Sequence, residues 1–170
     1  ITGNIVSNNT IVDSSAFQNT LITLGDSTTT VCDNNIISGN VLKGRPRDFT
    51  GLIKTSMAAT YYGTDNVIDS NIVETLNRYY CIGAFDQDGV KITNNPLIHE
   101  FDNTSAQTDL VLSLNDVKNS KITGNKIICR AGGLNTTLRG ISLDSTSGNT
   151  ITGNISSATS GSLTLYTPVF

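Results

Sequence analysis

Residues 77–89, NRYYCIGAFDQDG, bring together the side-chain types that could bind and cleave a sugar chain. Aromatic rings stack on the faces of sugars, and carboxylates accept hydrogen bonds from hydroxyl groups or act as acid and base. This chemistry selects Arg78, Tyr79 and Tyr80 for binding and Asp86 and Asp88 for catalysis. The alternative is that the aromatic residues pack in a core or between subunits, and that the two aspartates form a turn before Gly89.

The only two glutamates, Glu74 and Glu100, form a second candidate pair. Each follows a repeated asparagine, by three and five residues, so both could lie near one another on neighbouring coils of a repeat structure. A glycosidase needs two carboxyl groups roughly 5–10 Å apart. Glu74 and Glu100 are therefore predicted to be catalytic, with Asp102 nearby. The alternative is a pair of exposed loop carboxylates.

The single histidine, His99, opens the phrase HEFD and could transfer protons beside the acidic residues that follow it. The alternative is a histidine in a surface loop. The metalloprotease pattern H-E-x-x-H does not occur in the sequence.

The phrase KGRPRDF, residues 43–49, is a candidate site for an anionic saccharide. Arg45 and Arg47 could pair with acidic sugar groups through their guanidinium forks, and Pro46 makes the segment extended and stiff. Both arginines are therefore predicted to bind polysaccharide. The alternative is a solvated loop or a contact between subunits.

An asparagine-centred phrase recurs along the whole chain and indicates the elements that must position these residues. Its central residues are Asn9, Asn40, Asn71, Asn95, Asn125 and Asn154. The intervals between them are 31, 31, 24, 30 and 29 residues. An aliphatic residue lies three positions before each asparagine, and another lies two positions after all but the last. Such a period is typical of a stacked coil in which insertions lie in loops.

Each repeat also carries a second extended run, for example DLVLSLND at residues 109–116. Thr, Val and Ile favour strands, whereas Gly, Asn, Asp and Ser favour turns. The sequence therefore predicts an all-β protein, a single-stranded parallel β-helix of about six rungs. Equivalent asparagines should stack as a ladder, and each should adopt the left-handed conformation at a bend. The alternatives, an antiparallel sandwich and a leucine-rich repeat, do not explain a phrase of this length.

The composition argues against two kinds of partner. With a net charge of −3, the chain has no basic footprint of the kind that binds nucleic acid, and no apolar run is long enough to insert into a membrane. Cys32, Cys81 and Cys129 follow no zinc-binding spacing and are predicted to be small buried hydrophobes. Turn aspartates could form a calcium cluster, but capping of turns is the preferred interpretation. No metal and no cofactor are predicted.

The phrases ITGN, ISGN and ITNN, each followed by an aliphatic residue, resemble the right-handed parallel β-helix proteins of the pectate-lyase-like superfamily, and the Thr/Ser/Asn-rich text resembles bacteriophage tailspikes. The resemblance covers residues 1–165, as a fragment of a longer chain, with 166–170 as a C-terminal cap or tail. It implies a side-by-side homotrimer in the virion tail, extracellular when mature. It also implies binding, and depolymerase cleavage by hydrolysis or elimination, of bacterial capsule or O-antigen.

Two other functions are compatible with the same repeat. A non-catalytic shaft or receptor-binding stub of a tail fibre would need only stacked strands. A secreted pectate-lyase-like enzyme would need an acidic calcium site, which the sequence does not show.

Overall fold

The computed structural model describes residues 2–13, 20–25, 32–45, 51–55, 62–76, 80–100, 109–130, 138–158 and 163–169. Within these ranges every regular element is a β-strand, and every pairing between strands is parallel. The strands form three sheets, which together make a parallel β-solenoid. The antiparallel alternative is therefore wrong for the described part of the chain.

Each sheet takes one strand from each successive coil. Sheet 1 contains β1 (Ile5–Ser7), β4 (Ile36–Ser38), β8 (Val67–Asp69), β11 (Lys91–Thr93), β14 (Lys121–Thr123) and β17 (Thr150–Thr152). Sheet 2 contains β2 (Thr10–Val12), β5 (Val41–Gly44), β9 (Ile72–Thr75), β12 (Pro96–Glu100), β15 (Lys126–Arg130) and β18 (Ile155–Ala158). Sheet 3 contains β3 (Ile22–Leu24), β6 (Ile53–Thr55), β10 (Ile82–Asp88), β13 (Asp109–Lys118), β16 (Leu138–Asp144) and β19 (Leu163–Val169), with β7 (Gly63–Thr64) paired to β10.

The register places equivalent residues of the repeat over one another. In sheet 1 the aliphatic residue before the asparagine forms one stack, in which Ile37 pairs with Ile68, Ile68 with Ile92, and Ile92 with Ile122. The register holds across the shortest interval of the repeat, because the missing residues lie between strands rather than within them. All four of these side chains are fully buried. The stacks from the three sheets meet in one core cluster that runs along the solenoid.

The six repeat asparagines form a continuous hydrogen-bonded ladder along the boundary between sheets 1 and 2. The Nδ2 of each asparagine donates to the Oδ1 of the next, with distances of 2.9–3.1 Å from Asn9 to Asn154. The backbone N–H donates to the same Oδ1 at each step. These pairings satisfy amides that are completely buried in the middle of the ladder.

The ladder asparagine does not adopt the left-handed conformation, which corrects that part of the sequence-based expectation. The residue before it does, as at Asn8, Gly39 and Ser70, whose φ values are 56°, 63° and 55°. The preceding residue makes the bend, so the asparagine stays free to direct both donors along the solenoid. Glycine suits position 39, because it adopts this conformation without strain, whereas a Cβ there would lie 2.6 Å from the Oδ1 of Asn8.

A second ladder, which sequence reasoning missed, lies at the boundary between sheets 3 and 1. The Nδ2 of Asn4 donates to Asn35, and that of Asn35 to Asn66. At the equivalent position of the next coil the chain has Val90, whose side chain cannot accept a hydrogen bond. The buried Gln87 supplies the missing acceptor, since its Oε1 lies 2.9 Å from the Nδ2 of Asn66.

The three cysteines are buried thiols, as expected for small hydrophobic residues. Burial raises the pKa of the Cys81 thiol to about 12, so this thiol stays protonated at neutral pH.

Among the described residues, no helix has the length and apolar character to cross a membrane.

Candidate functional site

The outer face of β10 carries an aromatic platform formed by Tyr80 and Phe85. Ile82 and Ala84 point into the core, so Gly83 and Phe85 point outward by strand alternation. The ring centroids of Tyr80 and Phe85 lie 6.4 Å apart at an interplanar angle of 46°. The platform depends on Gly83, because a Cβ at that position would lie 2.6 Å from Cε2 of Phe85. Both rings are half-buried and leave part of their surface to solvent.

A pair of aspartates continues the platform at the edge of sheet 3. Asp86 directly follows Phe85, and the register between β10 and β13 places Asp116 at the equivalent position of the next coil. Both residues occupy a left-handed bend, with φ values of 51° and 49°. The bend turns the chain from sheet 3 towards sheet 1, and it presents the two carboxylates side by side.

Tyr62 and Lys118 hold one member of this pair. The Oη of Tyr62 donates to Oδ2 of Asp116 at 2.7 Å, and Nζ of Lys118 lies 3.5 Å from Oδ1 of the same carboxylate. Lys118 also donates to the Tyr62 hydroxyl and lies 3.8 Å from the centroid of the Tyr62 ring. Asp116 therefore has both a hydroxyl donor and a cation as partners.

The electrostatics give the two aspartates different properties. Burial raises the pKa of Asp86, the negative charge of Asp116 raises it further, and Lys118 acts in the opposite direction. The pKa of Lys118 is raised, mainly by its hydrogen bond to Tyr62, so the cation beside Asp116 persists at neutral pH. The protonated form of Asp86 is thus favoured, while Asp116 is the carboxylate in contact with a hydroxyl donor and a cation.

Asp88 lies apart from this pair. It follows the buried Gln87 and accepts a hydrogen bond of 2.9 Å from Nδ2 of Asn119. The carboxylate that interacts with Asp86 is therefore Asp116 on the adjoining coil, and not Asp88.

The two glutamates share an arginine on the outer face of sheet 2. Nη1 of Arg130 lies 2.9 Å from Glu100 and 3.7 Å from Glu74, and Nζ of Lys43 lies 2.9 Å from Glu74. Both glutamates lie in strands, which corrects the alternative of loop carboxylates. Glu74 and Glu100 are thus linked through ion pairs to Arg130, and they lie on a different sheet from the aspartate pair.

His99 is completely buried in β12, so the interpretation as a surface-loop histidine is wrong. Its Nδ1 forms a hydrogen bond with the hydroxyl of Thr75 on the neighbouring coil. Burial lowers the pKa of His99 to about 3. The imidazole is therefore neutral and has no contact with solvent, which does not suit proton transfer to a saccharide.

Three of the predicted binding residues lie outside the described ranges, namely Arg47, Arg78 and Tyr79, as does Asp102. Arg45 is exposed at the end of a described range. Within the described part of the chain, no three His, Cys, Asp or Glu side chains come together as a possible metal site.

Sequence reasoning treated Asp116 only as a turn residue, and it missed Lys118 and Tyr62. The first two carried a usable signal, because FDQDG at 85–89 aligns with NDVKN at 115–119 when the second runs of the two repeats are superposed. Tyr62 carried none, since it follows a loop of variable length.

Comparison of the chain with family profiles, curated proteins and solved structures finds no match.

Proposed function

We propose that this chain is the β-solenoid segment of a phage tailspike that binds host bacterial surface polysaccharide through the outer face of sheet 3. One observation carries the proposal. A half-buried aromatic platform, Tyr80 and Phe85, is continuous with two carboxylates, Asp86, whose pKa is raised, and Asp116, which pairs with Lys118. A sugar ring can stack on Phe85 while its hydroxyl groups donate to Asp86 and Asp116.

The same arrangement supports cleavage as a glycoside hydrolase. Protonated Asp86 donates its proton to the bridging glycosidic oxygen as the bond to the anomeric carbon breaks. Asp116, whose carboxylate lies 3.5 Å from Nζ of Lys118, attacks that carbon as the nucleophile and forms a glycosyl–Asp116 ester, as suits carboxyl groups on adjoining strands. Asp86 then removes a proton from the water that hydrolyses the ester, so one water molecule is consumed, one new reducing end forms, and both carboxyl groups return to their starting states. Asp88, Glu74 and Glu100 remain predictions for catalytic roles, and the ion pairs of the two glutamates favour a structural role for them.

The same proposal includes the handedness of the solenoid, its number of rungs and its assembly. We propose a right-handed, pectate-lyase-like solenoid of six rungs, assembled side by side as a homotrimer in the virion tail. Strand counts of six or more in each sheet support the number of rungs. Val41 and Ile72, adjacent on the outer face of sheet 2 and partly exposed, support a lateral contact between copies.

Binding is tested with purified capsule and O-antigen of candidate hosts, by glycan array and calorimetry. The variant Phe85→Ala removes the platform without touching the core, and it is expected to weaken binding at least tenfold, about the loss of one aromatic–sugar stack. The matched control is Lys91→Ala, an exposed residue on sheet 1. Equal binding by the Phe85 and Lys91 variants would rule out the platform.

One observation favours the second candidate function, a non-catalytic shaft or receptor-binding stub. The only two glutamates are paired with cations of the same chain on the outer face of sheet 2, which suits a structural role better than a catalytic one. Release of reducing ends, or absorbance of an unsaturated sugar, distinguishes the two candidates. Binding without either product, unchanged by Asp86→Asn, would indicate the shaft.

A further inference from the structure

The outer face of sheet 3 continues beyond the Asp86–Asp116 pair onto the following coil. The register pairs Phe85 with Asn115, and Asn115 with Asp144, so these three residues form one row along the solenoid axis. Leu114 and Leu143 point into the core, so their neighbours Asn115 and Asp144 point outward. Successive coils lie about 4.8 Å apart, the spacing of paired strands. A saccharide that stacks on Phe85 and follows this row therefore meets Asn115 one coil later and Asp144 two coils later.

Asn115 and Asp144 are held together and still offer hydrogen-bonding atoms to a ligand. Nδ2 of Asn115 donates to Oδ2 of Asp144 at 3.2 Å, and the hydroxyl of Ser145 donates to Oδ1 at 3.2 Å. Each carboxylate oxygen has more than one lone pair, so a sugar hydroxyl can also donate to it. Asn115 is exposed and Asp144 is half-buried. These bonds fix the position of acceptors beside the Asp86–Asp116 pair.

The charges along this part of sheet 3 are mainly negative. Beyond Phe85, the described charged side chains of the sheet are four aspartates and one lysine, namely Asp86, Asp88, Asp116, Asp144 and Lys118. The lysine already pairs with Asp116. Two other described cations of the sheet lie nearer the starts of their strands, Lys54 level with Gly83 and Arg139 five residues before Asp144. An acidic sugar on the row would therefore face more negative than positive charge.

Other described cations lie away from this face. Arg45, from the segment predicted to bind an anionic saccharide, follows β5 of sheet 2. Arg130 also lies in sheet 2, where it pairs with Glu74 and Glu100. Neither arginine brings positive charge to the row on sheet 3.

We propose that Asn115 and Asp144 form a further saccharide subsite, and that the row from Phe85 to Asp144 selects sugars without carboxylate, sulfate or phosphate groups. This inference rests on the proposed function, because it concerns the same face of the solenoid. Like charges about 4–5 Å apart repel each other near a protein surface, so an acidic group on the row lowers affinity. A neutral hydroxyl group donates to the carboxylates instead, and hydrogen bonds to a charged acceptor are stronger than those to a neutral one.

The same selection distinguishes between two routes of cleavage. Elimination removes the proton next to a carboxylate of the sugar itself, and the charge that develops there needs a nearby cation. A sugar without that carboxylate is cleaved by hydrolysis, for which Asp86 and Asp116 are placed. Cleavage should therefore release reducing ends without the absorbance of an unsaturated sugar.

The test compares acidic and non-acidic saccharides on the same protein. The probes are purified capsule and O-antigen polysaccharides on a glycan array, and the binders are expected among those without acidic groups. A binder is then oxidised so that its primary hydroxyl groups become carboxylates, and its affinity in calorimetry should fall about tenfold. A preference for acidic polymers would overturn this inference and leave the proposed function standing. Binding of no polysaccharide would overturn both.

The decisive variant is Asp144→Asn. Asparagine occurs naturally at the equivalent position of the preceding coil, Asn115, so the backbone accommodates it. The variant replaces a charged acceptor with a neutral one, so affinity for the uncharged saccharide should fall about fivefold, whereas affinity for its oxidised form should rise.

The matched control is Asp69→Asn, which removes the same charge from the outer face of sheet 1. Asparagine keeps an oxygen that can accept the hydrogen bond from Nδ2 of Asn94. The control should leave both affinities unchanged. Equal affinities of the Asp144 and Asp69 variants would overturn the subsite. Weaker binding of the oxidised saccharide by Asp144→Asn would overturn the selection by charge.

Discussion

The buried histidine makes the stability of this solenoid depend on pH in a defined direction. His99 is neutral in the folded chain, with a pKa of about 3, whereas the ordinary value is 6.5. Above pH 6.5 neither the folded nor the unfolded chain protonates it. Between pH 6.5 and 3 only the unfolded chain binds the proton, so the free energy of unfolding falls as the pH falls.

The size of the effect follows from the gap between the two pKa values. Each pH unit within the window costs about 1.4 kcal/mol. A shift from pH 7 to pH 5 is therefore expected to lower the free energy of unfolding by about 2 kcal/mol through His99 alone. The cause is burial, because the solenoid interior around His99 and Thr75 is closed to water.

The measurement is equilibrium unfolding in urea at pH 7 and pH 5, for the natural chain and for His99→Gln. Glutamine keeps a polar group near Thr75 but does not titrate. The carboxylates titrate in both proteins, so their contribution cancels in the comparison. The natural chain should lose about 2 kcal/mol more than the variant between the two pH values. An equal loss in both would refute the assignment of His99 as the buried titrating group.

Three further predictions concern the ladder and the candidate site. Asn95→Leu leaves the N–H and Nδ2 donors of Asn71 without an acceptor, and it should lower the free energy of unfolding by roughly 2–5 kcal/mol in urea denaturation. Gly83→Ala forces the Phe85 ring from its position, so it should lower saccharide affinity in calorimetry and lower the free energy of unfolding in urea by about 1–3 kcal/mol. A stability as in the natural chain would contradict the close contact. Asp86→Asn should abolish reducing-end release while binding persists. It should also remove a gain in stability as the pH falls through the raised pKa of Asp86, seen by comparing unfolding at pH 7 and 4.

Much of the fold could be predicted because a parallel solenoid encodes its stacking locally. Each coil repeats the same positions, so a phrase such as ITGN at 122–125 specifies an inward residue, a bend and a ladder amide at once. The burial of His99 was also available in principle. It lies two residues after the inward-facing Leu97, so alternation along β12 places it in the core.

Which side chains meet across coils was decided only by the tertiary structure. Each repeated phrase of the sequence defines its own strands and bends. The neighbours of Asp86, by contrast, depend on the register between β10 and β13, which is set by the lengths of the intervening loops. Gln87 in place of a ladder asparagine, and Tyr62 beside Lys118, are contacts between residues 21 and 56 positions apart. The sequence by itself thus determined the stacked β-solenoid and its asparagine ladder. The folded chain decided the aspartate pair and its partners, because a contact between coils depends on the length of the path that joins them.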